Sequence, residues 1–470
     1  MTDPRPLFFG LYEQANVGNG AASASLWRHP ADERLQAMAL PFWLNLARIA
    51  EESRFDLFFF GDVLGIYDTY QDSAETALRW GVELPAHDPL MHIPALAAVT
   101  EHLAFGATIS TTYEHPFGHA RRQSTLDHLT GGRLAWNIVT SYLPSAARNF
   151  GLPEMLEHDQ RYEVAEEFMA AVYALWEGSW ADDAFVGDKQ SGTFANPDRV
   201  RAVNHQGTHF ATAGPHVSPP SPQRTPVLIQ AGASPRGREF GATHAEIVFA
   251  GWSSTEAVQR GLASIRTRAD ELGRAGSEIR SVAGANVVVG KTHAQALEKL
   301  ESYQQWHSLP AQLAAWAGWS GFDLSKYSDD EPVVGKTNHT QSAAPTNGAR
   351  ERPLTAGDLR RRYAKVEGNS HLFIGDPDEV ADQIGEYASL AGIDGFLLHQ
   401  FIAPGSVEDF AELVVPKLVE RGLFRDDPPT GTLRSRIRDD GADRLPEGHP
   451  AARYRQTPRA PAPELPLLSA

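Results

Sequence analysis

The sequence predicts an α/β fold, a (β/α)8 TIM barrel, on three observations. Eight short, almost continuously apolar runs recur along the chain, helical patterns fall between them, and polar residues gather just beyond the ends of the runs. Runs that are apolar throughout read as strands buried on both faces, as in a parallel sheet, and parallel strands need crossover connections. The count of eight favours a closed barrel over an open doubly wound sheet, the other architecture this alternation allows.

The runs are Pro6–Tyr12, Phe55–Gly61, Leu103–Ser110, Arg133–Thr140, Pro226–Gly232, Glu246–Ala250, Ser281–Val289 and Gly395–Phe401. Helical periodicity covers Arg34–Ser53, Gln160–Trp176, Thr255–Leu272, His293–Gln305, Asp376–Ala391 and Ser406–Arg421, with Gly273 and Gly422 placed to end two of them. Two segments break the alternation. Residues 179–225, before the fifth strand, are rich in Asp, Gly and Pro and include a small hairpin around Gly207. Residues 309–370, before the eighth strand, read as a lid or as plain disorder around their middle, Ser328–Arg352. The division is therefore a barrel domain over 1–424, with insertions at 179–225 and 309–370, and an irregular C-terminal tail over 425–470. The Arg-rich tail reads as an arm over the surface or over a neighbouring subunit.

Composition removes several functions. The chain has 470 residues, with 42 Lys and Arg against 59 Asp and Glu, a formal charge of −17. Nucleic acid and anionic membrane both require a basic surface, so neither is an expected partner. Cysteine is absent, which excludes disulfides, Cys-ligated zinc, iron–sulfur clusters and thiol nucleophiles. No stretch approaches the roughly 20 apolar residues of a membrane span, and the start lacks a signal-peptide pattern. A cytoplasmic protein is the expectation.

In a parallel barrel the ligand sits at the carboxyl ends of the strands. Those ends carry Tyr12-Glu13-Gln14, Asp62, Ser110-Thr111-Thr112-Tyr113-Glu114-His115, Asn137 to Tyr142, Gly232 to Gly237 and His399-Gln400. The fifth end is the most specific. Gly232-Ala233-Ser234-Pro235-Arg236-Gly237 takes a strand into a helix, with Ser234 suited to N-cap and Pro235 to the first helical position. A helix N-terminus beside a serine, Arg236 and Arg238 is an anion site, most naturally for phosphate. His158 and Tyr162, four apart on one helical face, suit the same phosphate; His158 or Asp159 also suits the helix cap. Asp62 ends a very apolar strand, where a carboxylate either meets a polar ring or caps the next element. Asn137, Thr140 and Ser141 offer amide and hydroxyl groups for the heteroatoms of a flat ring.

Other motifs fail. Gly290-Lys291-Thr292 and Gly335-Lys336-Thr337 lack the earlier glycine of a phosphate loop, and no G-x-G-x-x-G, H-E-x-x-H or G-x-S-x-G is present. Around Glu114, His115 and His119, the best metal cluster, the two histidines are spaced as a ligand pair, but nothing supplies an obvious third group, so no metal is expected. With no protein nucleophile in view, the pattern implies a phosphorylated organic cofactor that carries the chemistry itself.

Several stretches together resemble one family: Leu26-Trp27-Arg28-His29, Phe55–Asp62, Ala98–Tyr113, Leu126–Ser141, Ala147–Gly151, Leu156–Phe168 and, above all, Pro222–Phe240. From about Leu7 to Phe424 the chain resembles the nitrilotriacetate and dibenzothiophene-sulfone monooxygenases of the bacterial luciferase-like, FMN-dependent superfamily. The resemblance implies reduced FMN (FMNH2) at the barrel's carboxyl face, supplied by a separate NAD(P)H-dependent flavin reductase. It implies dioxygen as co-substrate, a flavin C4a-(hydro)peroxide, and oxygenation of a small sulfur- or nitrogen-containing molecule with C–S or C–N cleavage. It further implies Asp62, Ser110, Asn137, Thr140 and Ser141 around the flavin ring and ribityl chain, and His158, Tyr162, Ala233 and Ser234 at the phosphate. His115 and His399 are the candidates for assisting the chemistry. A non-proline cis peptide at Ser110–Thr111 or its neighbour, a lid bearing Trp316, Trp319 and Phe322, and a homodimer or homotetramer complete the expectation. A non-catalytic flavin-binding protein and a deazaflavin-dependent hydride-transfer enzyme are the alternatives. Tyr113–Phe117 and Ala21–Ser25 depart from the family pattern, which leaves the substrate open.

Overall fold

The structure, a computed structural model, describes residues 5–18, 23–251, 254–335, 337–339, 353–366 and 371–456. Thirteen strands occur among them: β1 (Phe8–Gln14), β2 (Leu57–Gly61), β3 (Ala104–Ser110), β4 (Leu134–Val139), β5 (Phe185–Asp188), β6 (Thr193–Ala195), β7 (His205–Gln206), β8 (Ala211–Thr212), β9 (Val227–Gln230), β10 (Ile247–Phe249), β11 (Arg280–Val289), β12 (His371–Gly375) and β13 (Gly395–His399). Eight close a ring of parallel pairings in the order β1, β2, β3, β4, β9, β10, β11, β13 and back to β1. These are the eight runs expected from the sequence, and the fold is a closed (β/α)8 TIM barrel.

The remaining strands lie outside the ring. β12 pairs with the last five residues of β11, from Ala285↔His371 to Val289↔Gly375, while the first part of β11 stays in the barrel. This strand was not expected; it is short and its first residue is exposed. The insertion before the fifth barrel strand holds two antiparallel hairpins, β5–β6 and β7–β8, the second turning through Gly207.

Strand alternation separates two layers of core. Phe9, Leu11, Phe58, Phe60, Phe105, Trp136, Leu228, Phe396 and Leu398 point outward to the helices. Leu57, Phe59, Ala104, Ala135, Val227, Ile229, Ile247, Val282 and Leu397 fill the barrel's lower interior, joined by Phe8, Tyr12 and Phe249. A side-chain period of two then puts Gln14, Thr108, Ser110, Asn137 and His399 on the inner face one layer higher. The polar ends noted in the sequence therefore form the top of the barrel interior.

The helices end near the expected positions. Ser254 N-caps Thr255–Glu271 by accepting from Ala257 N, and Gly273 follows in the left-handed region at φ +80°. The helix at His158–Tyr173 has Glu157, not His158 or Asp159, at its N-cap. It passes into a π-turn over Ala174–Gly178.

Three expectations change. The Ser110–Thr111 peptide is trans, and the cis bonds among the described residues precede Pro85 and Pro404. Thr111 N donates to Val139 O at 2.9 Å, so the trans ladder with β4 simply runs one residue further. Trp316 and Phe322 do not face a substrate: they are buried in the second insertion's own core with Leu324, Leu354, Leu359 and Tyr363, while Trp319 is exposed. Residues 425–456 are packed, not draped. The short helix Leu433–Ile437 puts Leu433 and Ile437 into the cluster at the amino-terminal end of the barrel. Arg434, fully buried, bonds Glu246 at 2.7 and 2.9 Å and the carbonyls of Gln223 and Pro226 at 3.0 Å.

The helix Leu309–Ser320 covers part of the opposite, carboxyl end. Its Ala311, Ala314 and Ala315 share a cluster with Tyr67, Leu143 and Ala146, and a Cβ on Gly318 would run into the Tyr67 ring. Residues 336, 340–352 and 367–370 of the expected lid lie outside the described residues. Among the described residues no helix is long and apolar enough to cross a membrane.

Candidate active site

At the barrel mouth Tyr12, Ser110, Asn137 and His399 come together on the inner face. Tyr12 and His399 stack with ring centroids 4.1 Å apart and planes 14° from parallel. Gly61, between them and β3, has no room for a Cβ because the Tyr12 hydroxyl lies over it. These rings close the interior just below the mouth. Burial holds His399 down at about 4, so its imidazole is neutral near neutral pH.

The wall beside them is made of hydroxyls and one amide. Ser141 Oγ donates to Ser110 Oγ at 2.8 Å, and Ser110 Oγ accepts from Thr112 N at 3.2 Å. Ser141 sits at φ +58°, unusual for a residue with a Cβ. The side chain of Thr112 donates to Thr140 O at 2.8 Å, tying the two strand ends together. Asn137 Nδ2 donates to Thr108 Oγ1 at 2.9 Å, whereas its buried Oδ1 has no partner. A buried amide oxygen left bare costs free energy, and a ligand N–H would satisfy it. Asp62 stands at the rim after β2. Burial, with Asp88 and Glu83 facing it, pushes its carboxyl up to about 8.

The anion cradle lies at the end of β9. Ser234 is the N-cap of Pro235–His244, its Oγ accepting from Gly237 N at 3.0 Å, with Pro235 at the first helical position. Tyr162 is buried, and burial raises its pKa while the neighbouring Ser234 side chain opposes that rise. A Cβ on Gly232 would lie 2.8 Å from both Gly237 Cα and the Tyr162 hydroxyl, so only glycine lets these backbones meet. His158 packs its ring 5.2 Å from that of Tyr162, and its Nδ1 bonds Asp159 at 2.7 Å. Ala233 O accepts from Arg238 Nη1 at 2.9 Å. Arg236 lies over the Tyr162 ring at 5.8 Å and pairs with Glu166. Beside Tyr162, Arg161 is buried and donates to the carbonyls of Asn338 and His339, while its Nε and Nη1 have no partner. A buried guanidinium with donors to spare and no ion pair among the described residues suits a phosphate. The glycine approach, the bare Asn137 oxygen and Arg161 all fit a flat, phosphorylated cofactor such as FMN.

The structure does not bring His115 into this group. It is exposed at the N-cap of Pro116–Leu129, its Nδ1 accepting from Phe117 N at 3.2 Å. The metal-like trio also separates: Glu114 pairs with Arg122, and His119 is buried with its ring 4.2 Å from that of Trp136. Among the described residues no three His, Asp or Glu side chains gather as for a metal ion. Sequence reasoning missed Tyr67 and Glu83, which reach the mouth from the segment after β2. No motif marks them; only the fold puts Tyr67 hydroxyl to hydroxyl with Tyr142 at 2.6 Å.

This barrel and its carboxyl-end site are those of a luciferase-like monooxygenase. The model of that family matches residues 22–394, and the chain belongs to the family. It is 47% identical over 452 residues to the long-chain alkane monooxygenase of Geobacillus thermodenitrificans, covering 96% of this chain and 98% of that protein. It is 42% identical over 436 residues to the dimethyl-sulfide monooxygenase of Hyphomicrobium sulfonivorans, covering 92% and 91%. Among solved structures, a riboflavin lyase with modified FMN and riboflavin superposes with a TM-score of 0.90 at 38% identity, covering 96% of this chain and all of that one.

Proposed function

We propose that this chain is the oxygenating component of a two-component monooxygenase. It takes reduced FMN from a separate NAD(P)H-dependent reductase and uses dioxygen to oxygenate a small sulfur- or nitrogen-containing organic molecule, with C–S or C–N cleavage. The observation that carries this reading is the cradle at Gly232, Gly237, Ser234 and Tyr162, one strand-end away from a polar inner wall. Bound FMN supplies the activation of dioxygen. The chain's own residues bind, orient and shelter it.

Ser234, Tyr162, His158 and the Ala233 backbone hold the phosphate in this reading, with Arg161 as an added cation. Ser110, Ser141, Thr140 and Asn137 flank the ring and ribityl chain, and Asn137 Oδ1 accepts from a ring N–H. Asp62, neutral below about 8, adds no negative charge beside an electron-rich ring. Tyr12 and His399 close the space beneath, and the helix Leu309–Ser320 excludes water from above. The relatives named above act on an alkane and on a thioether; the polar mouth formed by Tyr67, Tyr142, Asp62 and Glu83 favours a substrate with a heteroatom.

The test is an anaerobic titration with oxidised and with reduced FMN, followed by oxygen. Tighter binding of the reduced form and slow, protein-dependent reoxidation support the reading. Equal or no binding of reduced FMN would sink it.

A further inference from the structure

Three residues of the second insertion, Thr337 to His339, bridge two helices at the barrel mouth. Thr337 Oγ1 donates to Ser320 O at 2.6 Å and His339 Nδ1 donates to Gly318 O at 2.8 Å, which fixes the segment to the last turn of the helix Leu309–Ser320. Gly321 follows that helix at φ +77°, and a Cβ there would lie 2.8 Å from the Thr337 side chain and 3.0 Å from the His339 ring, so only glycine admits the segment so close. On its other side Asn338 Nδ2 donates to Leu156 O at 3.1 Å, just ahead of the helix His158–Tyr173. Arg161, in the first turn of that helix, completes the bridge: its Nη2 donates to Asn338 O at 2.8 Å and to His339 O at 3.3 Å. The segment is thus a strap from the helix that covers the mouth to the helix that carries His158 and Tyr162.

Arg161 is only 1% exposed and makes no ion pair among the described residues. Of its five N–H groups the strap takes the two on Nη2, and those on Nε and Nη1 are buried without a partner. Neutral carbonyls do not balance a cation taken out of water, so the strap hangs on a guanidinium that itself costs free energy to bury. An anion on the remaining N–H groups offsets that cost and strengthens the hold. Tyr162 is the next residue, and its hydroxyl lies against Gly232 and Gly237 of the cradle. A phosphate in that cradle stands beside the same turn of helix.

We propose that Arg161 is a positioning residue that couples the strap to the flavin phosphate: FMN fastens Thr337 to His339 across the mouth, and riboflavin, which lacks the phosphate, does not. The inference rests on the FMN reading above and adds a selection step to it, because exclusion of water from the mouth is then completed only over the phosphorylated cofactor. Coupling between two sites is reciprocal, so the factor by which FMN tightens the strap is the factor by which an intact strap tightens FMN. Asn338→Ala removes a strap bond and leaves Ser234, Tyr162 and Arg161 as they are, so it tests the coupling from the far side.

The experiment follows cleavage of the Lys336–Thr337 bond by a lysine-specific protease, read by mass spectrometry. For the protease to seat, Thr337 to His339 must leave both helices, so the rate reports the released strap. Wild type is digested without oxygen, alone and saturated with reduced FMN or with reduced riboflavin. FMN should slow this cut about tenfold more than riboflavin does, as expected for one charge-assisted hydrogen bond. In Arg161→Gln the free protein should be cut faster, and the two flavins should protect it equally. In Asn338→Ala the cut should also quicken, and calorimetric titration should find weaker binding of reduced FMN with riboflavin binding unchanged. Equal protection of wild type by the two flavins, or an FMN advantage that survives in Arg161→Gln, overturns the proposal. If Arg161→Gln does not fold, Asn338→Ala decides alone: a faster cut with FMN affinity unchanged overturns the coupling. Reduced FMN that binds wild type without slowing the cut sinks the strap inference only, whereas no binding of reduced FMN sinks the FMN reading and this inference with it.

Discussion

Ser141 donates to Ser110 across 2.8 Å from a left-handed backbone conformation, so the hydrogen bond joining the ends of β3 and β4 is made by a residue under local strain. Strain of this kind costs of order 1–3 kcal/mol and persists where the surroundings over-determine it. The consequence is an inverted ranking of substitutions. Ser141→Ala loses the hydrogen bond and keeps the strain, whereas Ser141→Gly loses the bond and relieves the strain. Urea unfolding should find Ser141→Ala less stable than wild type by about 1 kcal/mol, with Ser141→Gly the more stable of the two variants. The reverse order would mean that the strain does not exist.

Ser234 caps the cradle helix, and the Tyr162 hydroxyl lies against Gly232 and Gly237 beside it. Ser234→Ala and Tyr162→Phe should each weaken FMN binding by roughly five- to tenfold, with unchanged circular dichroism. Isothermal titration of the double variant gives the decisive number; an affinity equal to wild type removes this cradle as the phosphate site.

Gly232 gives a steric version of the same test. The Cβ of Gly232→Ala would lie 2.8 Å from Gly237 Cα and from the Tyr162 hydroxyl, so backbone has to move. The expected result is loss of FMN binding by more than about tenfold with only a modest fall in Tm, because the strand body below is untouched.

The pH dependence of stability has a definite sign. Asp62 has an ordinary value of 3.8 and is raised to about 8 in the fold, so its contribution is complete at low pH and is lost as pH rises towards 8. His92, His216 and His399 are lowered from 6.5 to about 4 and are neutral in both states above 6.5. Between pH 6.5 and 8 the buried acids therefore dominate, and wild type should lose stability with a slope of up to about 1.4 kcal/mol per pH unit for Asp62. Asp62→Asn should flatten that slope in guanidinium unfolding curves taken across the window. A parallel slope in the variant would show that Asp62 is ionised in the native protein.

Arg434 anchors the helix Leu433–Ile437 through two bonds to Glu246 and three to the backbone carbonyls of Gln223, Pro226 and Asp443. Arg434→Ala leaves the Glu246 carboxylate buried and unpaired, which costs about 3–5 kcal/mol. Differential scanning calorimetry should show a large fall in Tm, while FMN affinity of the folded fraction stays that of wild type.

How much of this was legible in the sequence depended on whether the signal was local. The eight barrel strands are apolar on both faces, so each run announces itself; β12 lies outside the ring, starts exposed and has only three apolar residues, Leu372 to Ile374. The cradle was legible because capping is local: Ser234, Pro235 and Gly237 act within four residues of one another. The Tyr67–Tyr142 and Glu83 contacts join segments far apart in the chain, and no spacing rule connects them. Trp316 and Phe322 have the composition of a substrate cover, yet Trp316 packs on Tyr363 at 6.0 Å and on Phe322 at 6.3 Å, because an insertion of that size needs apolar residues for its own core.

The packing of Leu433 and Ile437 against the lower barrel also sets an order of events during synthesis. Every strand of the ring leaves the ribosome before the helix that stops its amino-terminal end. For on the order of seconds the nascent barrel stands with Leu57, Val227, Ile247 and their neighbours bare at one end, and that apolar opening is what a chaperone would meet first. Completion of the chain, more than closure of the ring, makes the newborn protein safe from aggregation.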